Sequence, residues 1–404
     1  MALMPPDWFV MSRGPFPTWL GRGVAILALL AALPSAAREQ PGLAIWCEFM
    51  PYCEVRSTLP ELARFRCDLL LHVGPADVGR DDLADLLRAA DQQGVKVFAW
   101  FLLPYDEHLY VGEETIATVR QLARRFLAWS DEAHLVVRGV VFDCEPSPLL
   151  GRELFAEARR GRVLGLARVL RRERNAGRFA RSIRDLSGLV RELQGRGVYV
   201  IGAGNRVFLD FLQRGNVTVQ DTLNAPFSMI PWDRISYITY RYHATQPQYV
   251  TMVNRYARLA RRFHGPRAAL DLGLLGDQRH FPEHRERAEL FGGGDHFMAF
   301  LKGITSTRDL QEVVGVAVRQ NVEFIHLYSL DGAVESVAGL ENWLRAAAEA
   351  RPATWGERWT PVGSLRAALL GATLNGLFKV LVGVEPERPS AAEAGLRPAP
   401  VQEP

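Results

Sequence analysis

Short apolar runs alternate with helix-like stretches along most of this chain. The runs are rich in Val, Ile, Leu and aromatic residues, which is typical of strands buried on both faces of a parallel sheet. They span residues 43–49, 67–73, 95–103, 135–142, 198–203, 235–240, 268–274 and 322–330. The stretches between them favour helices, so the pattern predicts eight consecutive strand–helix units.

Eight such units predict an α/β protein, a (β/α)8 TIM barrel over residues 38–350. Gly94, Gly197 and Asn321 each stand between a predicted helix and the next strand, where residues that tolerate a positive φ end helices. The chain has 404 residues, 48% hydrophobic and 23% charged, which fits a globular protein with a substantial core. An open, doubly wound sheet is the alternative.

An Arg-rich insertion follows the fourth predicted strand. Residues 151–194 contain twelve Arg against four Glu and one Asp, in two helical stretches separated near residues 175–177. One interpretation is an arm that binds an anionic polymer. The other is a solvated helical surface whose Arg stems cover apolar groups. The net charge of +3 does not by itself indicate a nucleic-acid partner, and we expect none.

Two carboxylates, Asp143 and Glu145, end the fourth strand. Residues two apart on a strand share a face, and carboxylates at the end of a buried strand cost desolvation free energy unless the site uses them. Barrel enzymes carry their chemistry at this end of the strands. The alternative is that Asp143 caps a turn and Glu145 is solvated.

The sequence around these acids resembles the strand-four motif of family 18 glycoside hydrolases, D-G-x-D-x-D-x-E. Gly139, Asp143 and Glu145 match the motif. Arg138 and Val141 stand where the family has Asp. The chain keeps the end of the motif and departs from its beginning.

The sixth strand resembles the family's M-T-Y-D-Y-H-G segment. Tyr240, Tyr242 and His243 match, and Arg241 replaces the family's Asp. The eighth strand ends like the family's W-S-L-D, with Tyr328 in place of Trp. The resemblance therefore extends in order along the whole predicted barrel.

The resemblance implies a substrate-assisted retaining mechanism. Glu145 would protonate the glycosidic oxygen, and the substrate's own 2-acetamido oxygen would act as nucleophile. Asp143 would orient that acetamido group and Tyr240 would hydrogen-bond it. Independently of the family, a general acid at neutral pH needs a raised pKa, which a carboxyl beside another carboxyl in a dry barrel mouth acquires.

The departures from the motif leave a second function possible. Val141 removes a buried carboxylate, and Arg241 places a cation near the acids, where it would lower the pKa of Glu145. Arg241 would alternatively bind an anionic glycan or pair with a buried acid such as Asp271. A glycan-binding barrel without catalysis is therefore the alternative to an enzyme.

Other polar and aromatic residues near strand ends are candidates to line the same cleft. Aromatic faces stack on sugar rings, although core packing is the competing explanation for each of them. The candidate substrate-binding residues are Trp46, Glu48, Trp100, Arg241, Tyr242, Asp271 and Tyr328.

The sequence indicates no cofactor and no metal. His280 and His284 fit the H-x-x-E-H zinc pattern, but Pro282 would break the helix that brings both rings to one ion.

The first 37 residues resemble an export signal. Arg13 and Arg22 precede the apolar run 23–33, and small residues suit cleavage after Ala37. We therefore expect a signal peptide over residues 1–37 and an exported, periplasmic or extracellular protein, with an uncleaved membrane anchor as the alternative.

Export would permit disulfides among Cys47, Cys53, Cys67 and Cys144. Three pairings are possible, of which Cys47 with Cys53 is the most local, and free buried thiols are the alternative.

The carboxyl-terminal part differs in character from the barrel. Residues 351–385 form an apolar segment, predicted helical, and residues 386–404 a Pro- and Ala-rich tail predicted to be disordered. The stretch 362–384 would either contact a membrane or pack on the barrel.

Together these features predict an exported, monomeric protein that resembles glycoside hydrolases. We expect it to cleave or recognise a glycan that contains N-acetylhexosamine and that also carries acidic groups in one version of the prediction. The alternatives are a non-catalytic glycan-binding barrel and a basic envelope-associated protein that acts through the Arg-rich insertion.

Overall fold

Eight parallel strands close into a barrel in the computed structural model of the protein. The structure describes residues 40–105, 108–241, 244–281, 285, 289 and 303–353. Each strand pairs with the next in chain order, and the last pairs with the first. The strands are β1 (Gly42–Cys47), β2 (Cys67–Val73), β3 (Val97–Phe101), β4 (Gly139–Cys144), β5 (Tyr199–Asn205), β6 (Arg234–Tyr240), β7 (Ala268–Gly273) and β8 (Phe324–Tyr328). The predicted (β/α)8 barrel is thereby confirmed, and the open sheet is wrong.

Helices connect the strands on the outside of the barrel. Because each parallel connection must return the chain to the same end of the sheet, a helix is the usual crossover. The described helices are α1 (Tyr52–Arg64), α2 (Asp81–Gln92), α3 (Ile116–Glu132), α4 (Pro148–Arg159), α5 (Val163–Glu173), α6 (Ala176–Gly195), α7 (Val207–Leu212), α8 (Thr218–Thr222), α9 (Gln246–His264), α10 (Thr307–Arg319), α11 (Leu330–Glu335) and α12 (Gly339–Ala348).

Helix ends follow the signals in the sequence. Gly94, Gly197 and Asn321 come shortly after α2, α6 and α10 and have φ angles of 73°, 78° and 61°. This left-handed conformation favours Gly and is tolerated by Asn. The chain can therefore leave each helix directly into the next strand.

The Arg-rich segment forms three helices rather than the predicted two. The break near residues 175–177 is present, because the Asn175 side chain accepts a hydrogen bond from the Arg178 backbone and begins α6. A second break at residues 160–162 separates α4 from α5. Buried Leu186, Leu189 and Leu193 make α6 the barrel helix between β4 and β5, so only α4 and α5 are additional.

Ion pairs occupy several Arg side chains of this segment. Arg172 binds the Glu153 carboxylate at 2.6 Å. Arg178 binds Glu113, and its Nη2 donates to Asn224 Oδ1 at 2.6 Å. Arg124 of α3 pairs with Glu192 at 2.8 Å. These contacts favour the interpretation of a folded, solvated helical surface over that of a free anion-binding arm.

Apolar side chains pack in two layers, one on each side of the strands. Residues such as Ile45, Phe142 and Leu270 point outward and pack with the helices in one cluster. Their neighbours in sequence point inward, and Trp46 and Val141 belong to a second cluster inside the barrel. This alternation fixes which residues of each strand reach the barrel mouth.

The four cysteines form no disulfide, so none of the three pairings is present and the alternative of free thiols holds. Cys47, Cys67 and Cys144 are buried, and burial raises the pKa of all three thiols. Cys53 is exposed on α1. The three inner cysteines therefore behave as small apolar core residues.

The predicted terminal segments lie outside the described residues. This concerns the signal peptide at 1–37, the tail at 386–404 and, apart from residues 351–353, the apolar segment at 351–385. Within the described ranges, the structure contains no helix with the length and apolar character needed to cross a membrane.

Candidate active site

Asp143 and Glu145 lie on the inner face at the carboxyl end of β4. Phe142 and Cys144 belong to the outer apolar cluster, so the residues alternating with them point into the barrel. Asp143 is only 5% exposed, and Glu145, just beyond the strand, is half-buried. The two carboxylates therefore stand at different depths of the mouth.

Burial raises the pKa of Glu145 to about 7. A hydrogen bond from Asn205 and the positive charge of Arg206 oppose this rise, whereas the negative charges of Asp271 and Glu48 add to it. Loss of solvation is the largest cause, and it penalises the ionised form. Glu145 therefore keeps a proton over a much wider pH range than an exposed Glu does.

Asn205 is oriented to hydrogen-bond Glu145. Its Oδ1 accepts a hydrogen bond from the Val207 backbone at 3.1 Å, which leaves the amide Nδ2 to donate to the Glu145 carboxyl. Asn205 is the last residue of β5, the strand that pairs with β4. The side chain of Glu145 is thus positioned from the neighbouring strand.

Tyr240, Tyr328 and Glu48 lie at the ends of β6, β8 and β1. The rings of Tyr240 and Tyr328 lie 4.9 Å apart at 31°, and the Tyr328 hydroxyl donates to a Glu48 carboxylate oxygen. Glu48 is 7% exposed and Tyr328 is also 7% exposed. These three residues close the side of the mouth opposite β4 in the strand order.

Asp331 fixes the backbone beside Glu48. Its carboxylate accepts hydrogen bonds from the backbone N–H groups of Glu48, Phe49 and Met50, at 3.2, 2.9 and 2.6 Å. Burial raises the pKa of Asp331, and the backbone donors oppose that rise. The acid at the start of α11 therefore shapes the loop that follows β1.

Trp46 and Trp100 lie deeper, inside the barrel. They are 2% and 3% exposed and pack edge to face, with ring centroids 4.8 Å apart. Aromatic pairs prefer this arrangement. With so little exposed ring area, both serve as the floor beneath the mouth rather than as open stacking platforms.

Asp271 is completely buried on β7, inside the barrel. Its Oδ1 accepts hydrogen bonds from Ser236 Oγ at 2.6 Å, His326 Nδ1 at 2.7 Å and Trp46 Nε1 at 3.3 Å. Arg241 is not its partner. Asp271 thus lies below the surface of the mouth and acts on Glu145 by its charge rather than by contact.

Arg241 pairs with Asp309 at the start of α10. Its Nη1 lies 3.0 Å from Asp309 Oδ2, and its Nε donates to the Ala244 carbonyl at 3.1 Å. The suggested pairing with Asp271 is therefore wrong. The guanidinium is held at the outer rim by a partner of its own.

Two cavities adjoin the mouth. One of about 300 Å³ lies between the loops after β1 and β2 and is lined in part by Glu48 and His72. Another of about 660 Å³ is lined in part by Ser147, Arg172 and Asn224. Ligand sites commonly have volumes of about 300–1,000 Å³. Both cavities have room for part of a glycan.

The structure brings most of the predicted site residues to one end of the barrel. Asp143, Glu145, Tyr240, Glu48 and Tyr328 reach the mouth from four strands. Trp46, Trp100 and Asp271 lie below it, and Arg241 lies beside it. Tyr242 falls outside the described residues.

Sequence reasoning missed Asn205, Ser236 and His326. Each points into the barrel, because it lies an even number of residues from another inward residue of the same strand. The available signal was therefore a polar residue at an inward position of an otherwise apolar strand. Asn205 was missed because the predicted fifth strand stopped at Ala203, whereas β5 continues to Asn205.

No cluster of three or more His, Cys, Asp or Glu side chains suited to a metal ion occurs in the part of the chain that the structure describes. Residues 282–284 of the H-x-x-E-H segment lie outside that part.

Comparison with known proteins finds similarity at the level of the barrel alone. No protein-family model and no curated protein matches the chain. The glycoside hydrolase domain of PgaB (BpsB) from Bordetella bronchiseptica is 12% identical, with a TM-score of 0.44 over 76% of this chain and 99% of that one. The GH18 chitinase ChiB of Flavobacterium johnsoniae is 12% identical, with a TM-score of 0.44 over 77% of this chain and 94% of that one.

A third similar structure is the spore cortex-lytic enzyme SleL of Bacillus megaterium QM B1551. It is 12% identical, with a TM-score of 0.42 over 78% of this chain and 75% of that one. Similarity this low does not indicate a shared activity, because one barrel fold supports many chemistries. The function must be inferred from the residues in the mouth.

Proposed function

We propose that this protein is a glycoside hydrolase that cleaves a β-linked glycan containing N-acetylhexosamine, with Glu145 as the general acid. The observation that carries the proposal is the environment of Glu145. Its carboxyl lies half-buried at the carboxyl end of a barrel strand, and burial raises its pKa to about 7. A general acid works best when its pKa lies near the operating pH.

The neighbouring residues suit a substrate-assisted retaining reaction. In this scheme Glu145 donates its proton to the glycosidic oxygen while the substrate's acetamido oxygen attacks the anomeric carbon. Asp143, deeper on the same face of β4, orients the acetamido group and stabilises its developing positive charge. Tyr240, at the end of β6, hydrogen-bonds the same group. Glu145 then accepts a proton from the water that opens the intermediate.

A glycan-binding barrel without catalysis is the second candidate. In such a barrel Arg241 would lie against Glu145 and hold it in its ionised form. Arg241 instead binds Asp309, and the hydrogen-bond partner of Glu145 is the neutral amide of Asn205. A neutral donor leaves the carboxyl able to keep its proton, which supports the enzyme over the binding module.

The proposal includes an exported location and a glycan outside the cytoplasm. The apolar run 23–33 followed by small residues supports export, and the segment 362–384 is proposed as a membrane contact. A monomer is sufficient for the scheme, because every proposed catalytic group comes from one barrel.

The experiment that tests the proposal measures reducing ends. Purified protein is incubated with chitin, peptidoglycan or hyaluronan fragments, and the wild type is compared with Glu145→Gln. The amide keeps the shape of the side chain but cannot donate a proton. We expect the wild type to release reducing ends from at least one substrate and the variant to be slower by roughly 10²–10⁴-fold.

Glu335→Gln is the matched control, because this Glu lies in α11 outside the barrel interior and should leave the rate unchanged. Equal rates for Glu145→Gln and wild type would remove Glu145 from the mechanism. Binding of a glycan with no cleavage by the wild type would favour the binding module.

A further inference from the structure

A buried polar chain crosses the barrel interior below the mouth. Arg234 Nη1 lies 3.3 Å from His326 Nε2, and His326 Nδ1 lies 2.7 Å from Asp271 Oδ1. Ser236 Oγ donates to the same Asp271 oxygen at 2.6 Å. Ser236, Asp271 and His326 are all 0% exposed, and Arg234 is 6% exposed, so the polar chain is almost entirely shielded from solvent.

The hydrogen bonds define the charges of the side chains in this polar chain. A guanidinium only donates, so His326 Nε2 must accept from Arg234 and Nδ1 must carry the proton that points at Asp271. Burial also lowers the pKa of His326, which keeps the imidazole neutral. Asp271 Oδ1 therefore accepts from three donors, an arrangement expected for an ionised carboxylate.

The remaining oxygen of Asp271 is the unusual feature. Oδ2 is buried and has no hydrogen-bond partner among the residues that the structure describes. Asp271 thus keeps a negative charge inside a mostly apolar barrel, with the positive charge of Arg234 at the other end of the polar chain. Charges there are costly and act over a longer range than in water.

The third donor links this charge to the mouth. Trp46 Nε1 donates to Asp271 Oδ1 at 3.3 Å, and Trp46 packs against Trp100 to form the floor. In the strand register Asp271 pairs with His326, and Tyr328 of the mouth lies two residues further along β8. Asp271 is therefore one layer of side chains below the proposed active site.

We propose that Asp271 is a positioning residue for the general acid, because its buried carboxylate fixes the Trp46 indole and maintains a negative charge beneath the mouth in which Glu145 works. This inference rests on the proposed function. The charge disfavours a second negative charge nearby, so it helps Glu145 to keep its proton until the glycosidic oxygen takes it. Substrate never touches Asp271.

Other charged groups also act on Glu145, and the test must separate them from Asp271. Glu48 at the end of β1 adds a negative charge, and Arg206 after β5 adds a positive one. Asp143 shares the face of β4, and the hydroxyls of Tyr240 and Tyr328 come from β6 and β8. Within the barrel, Arg234 forms the lower end of the polar chain, and Asp68 and Tyr199 lie near its guanidinium. Only Asp271 is changed in the experiment.

The experiment is the pH profile of kcat/KM for Asp271→Asn. The wild type should lose activity as the pH rises through about 7, because the general acid then loses its proton. This loss of activity at high pH is the basic limb of the profile. Removal of the buried negative charge should move the basic limb to lower pH by about half to one pH unit. Charges within about 4–6 Å typically shift a pKa by 1–3 units, and Asp271 lies a layer away.

Asp210→Asn is the matched control. Asp210 is a nearly buried Asp on α7, outside the barrel interior, where it accepts hydrogen bonds from Arg255 and Tyr256. This control should lose stability without moving the basic limb. If Asp271 had only a structural role, Asp271→Asn would behave in the same way. A basic limb that stays in place in Asp271→Asn, or that moves to higher pH, therefore overturns the proposal.

A second measurement keeps the inference separate from the proposed function. The Glu145 carboxyl is titrated by carbon NMR in the full chain, with Glu145→Gln used to assign its signal. A lower pKa in Asp271→Asn than in the wild type supports the inference even if no glycan is cleaved, and equal pKa values overturn it. If Asp271→Asn does not fold, the smaller neutral variant Asp271→Ser is titrated in its place.

Discussion

Glu145 holds a proton near neutrality at a cost to the folded state. Its carboxyl is ionised in the unfolded chain above a pH of about 4.5, whereas burial raises the pKa to about 7 in the fold. Between these values the folded state binds the proton more tightly, and above about pH 7 the ionised group is held in an unfavourable site. The free energy of unfolding therefore decreases as the pH rises through this window.

Glu145→Gln should accordingly stabilise the protein at pH 8 and leave its stability nearly unchanged at pH 4. The expected gain at pH 8 is on the order of 1–3 kcal/mol, because a tenfold change in proton affinity corresponds to about 1.4 kcal/mol. Thermal unfolding of wild type and variant at the two pH values measures this. A variant that is less stable than wild type at pH 8 would contradict the assigned environment of Glu145.

The two carboxylates proposed as catalytic were predictable because their placement depends on strand periodicity. Asp143 and Glu145 are two apart at the end of an apolar run, and that spacing alone places them on one face. Asn205 and His326 were not predictable in the same way. Their roles depend on which strands are neighbours and on the depth at which each inward residue lies, and both require the closed register of the barrel.

Single residues also set where elements end. The first predicted strand extended to Phe49, but β1 stops at Cys47 because the next three backbone N–H groups bind the Asp331 carboxylate. Asp331 is 284 positions away from Cys47 in the chain, so no local pattern foretells this end. The apolar periodicity fixed the order and type of the strands, and distant polar contacts fixed their limits.

The pair of Arg241 and Asp309 joins the end of β6 to α10. The side chains are 16% and 28% exposed, so the ion pair is largely shielded from solvent. Arg241→Ala and Asp309→Ala should each lower the free energy of unfolding by about 1 kcal/mol. The double variant should lose less than the sum of the two, since each single change already removes the shared contact.

Chemical denaturation of the two single variants and the double variant tests this role. The ratio of kcat/KM for neutral and acidic glycans should be the same in Arg241→Ala as in the wild type. If Arg241→Ala kept its stability and its KM rose only for acidic glycans, Arg241 would instead bind an anionic group of the substrate.

At the scale of the whole molecule, the barrel carries the proposed active site, and the Arg-rich segment follows the strand on which that site is centred. The helices α4 and α5 follow β4 directly, so their start lies beside Glu145 in the chain. Arg172 of α5 is held by the carboxylates of Glu153 and Glu173. The segment therefore contributes to the wall of a cavity more readily than to a separate polyanion site.

The mechanism as a whole requires a substrate that supplies its own nucleophile. In the proposed scheme the acetamido group reacts, Asp143 orients it, and Glu145 donates the proton, so no enzymic carboxylate bonds to the sugar. A glycan that carries a free amine in place of the acetamide should bind the same mouth but lack the attacking oxygen. The N-acetyl group is thus the feature on which the whole account depends.

The most direct measurement follows the anomeric protons by NMR during cleavage of a soluble N-acetylated oligosaccharide and its de-N-acetylated counterpart. The account predicts that the acetylated substrate first gives the β-anomer, with retention, and that the de-N-acetylated one is cleaved at least about 100-fold more slowly. Initial release of the α-anomer, or equal rates on the two substrates, would contradict it.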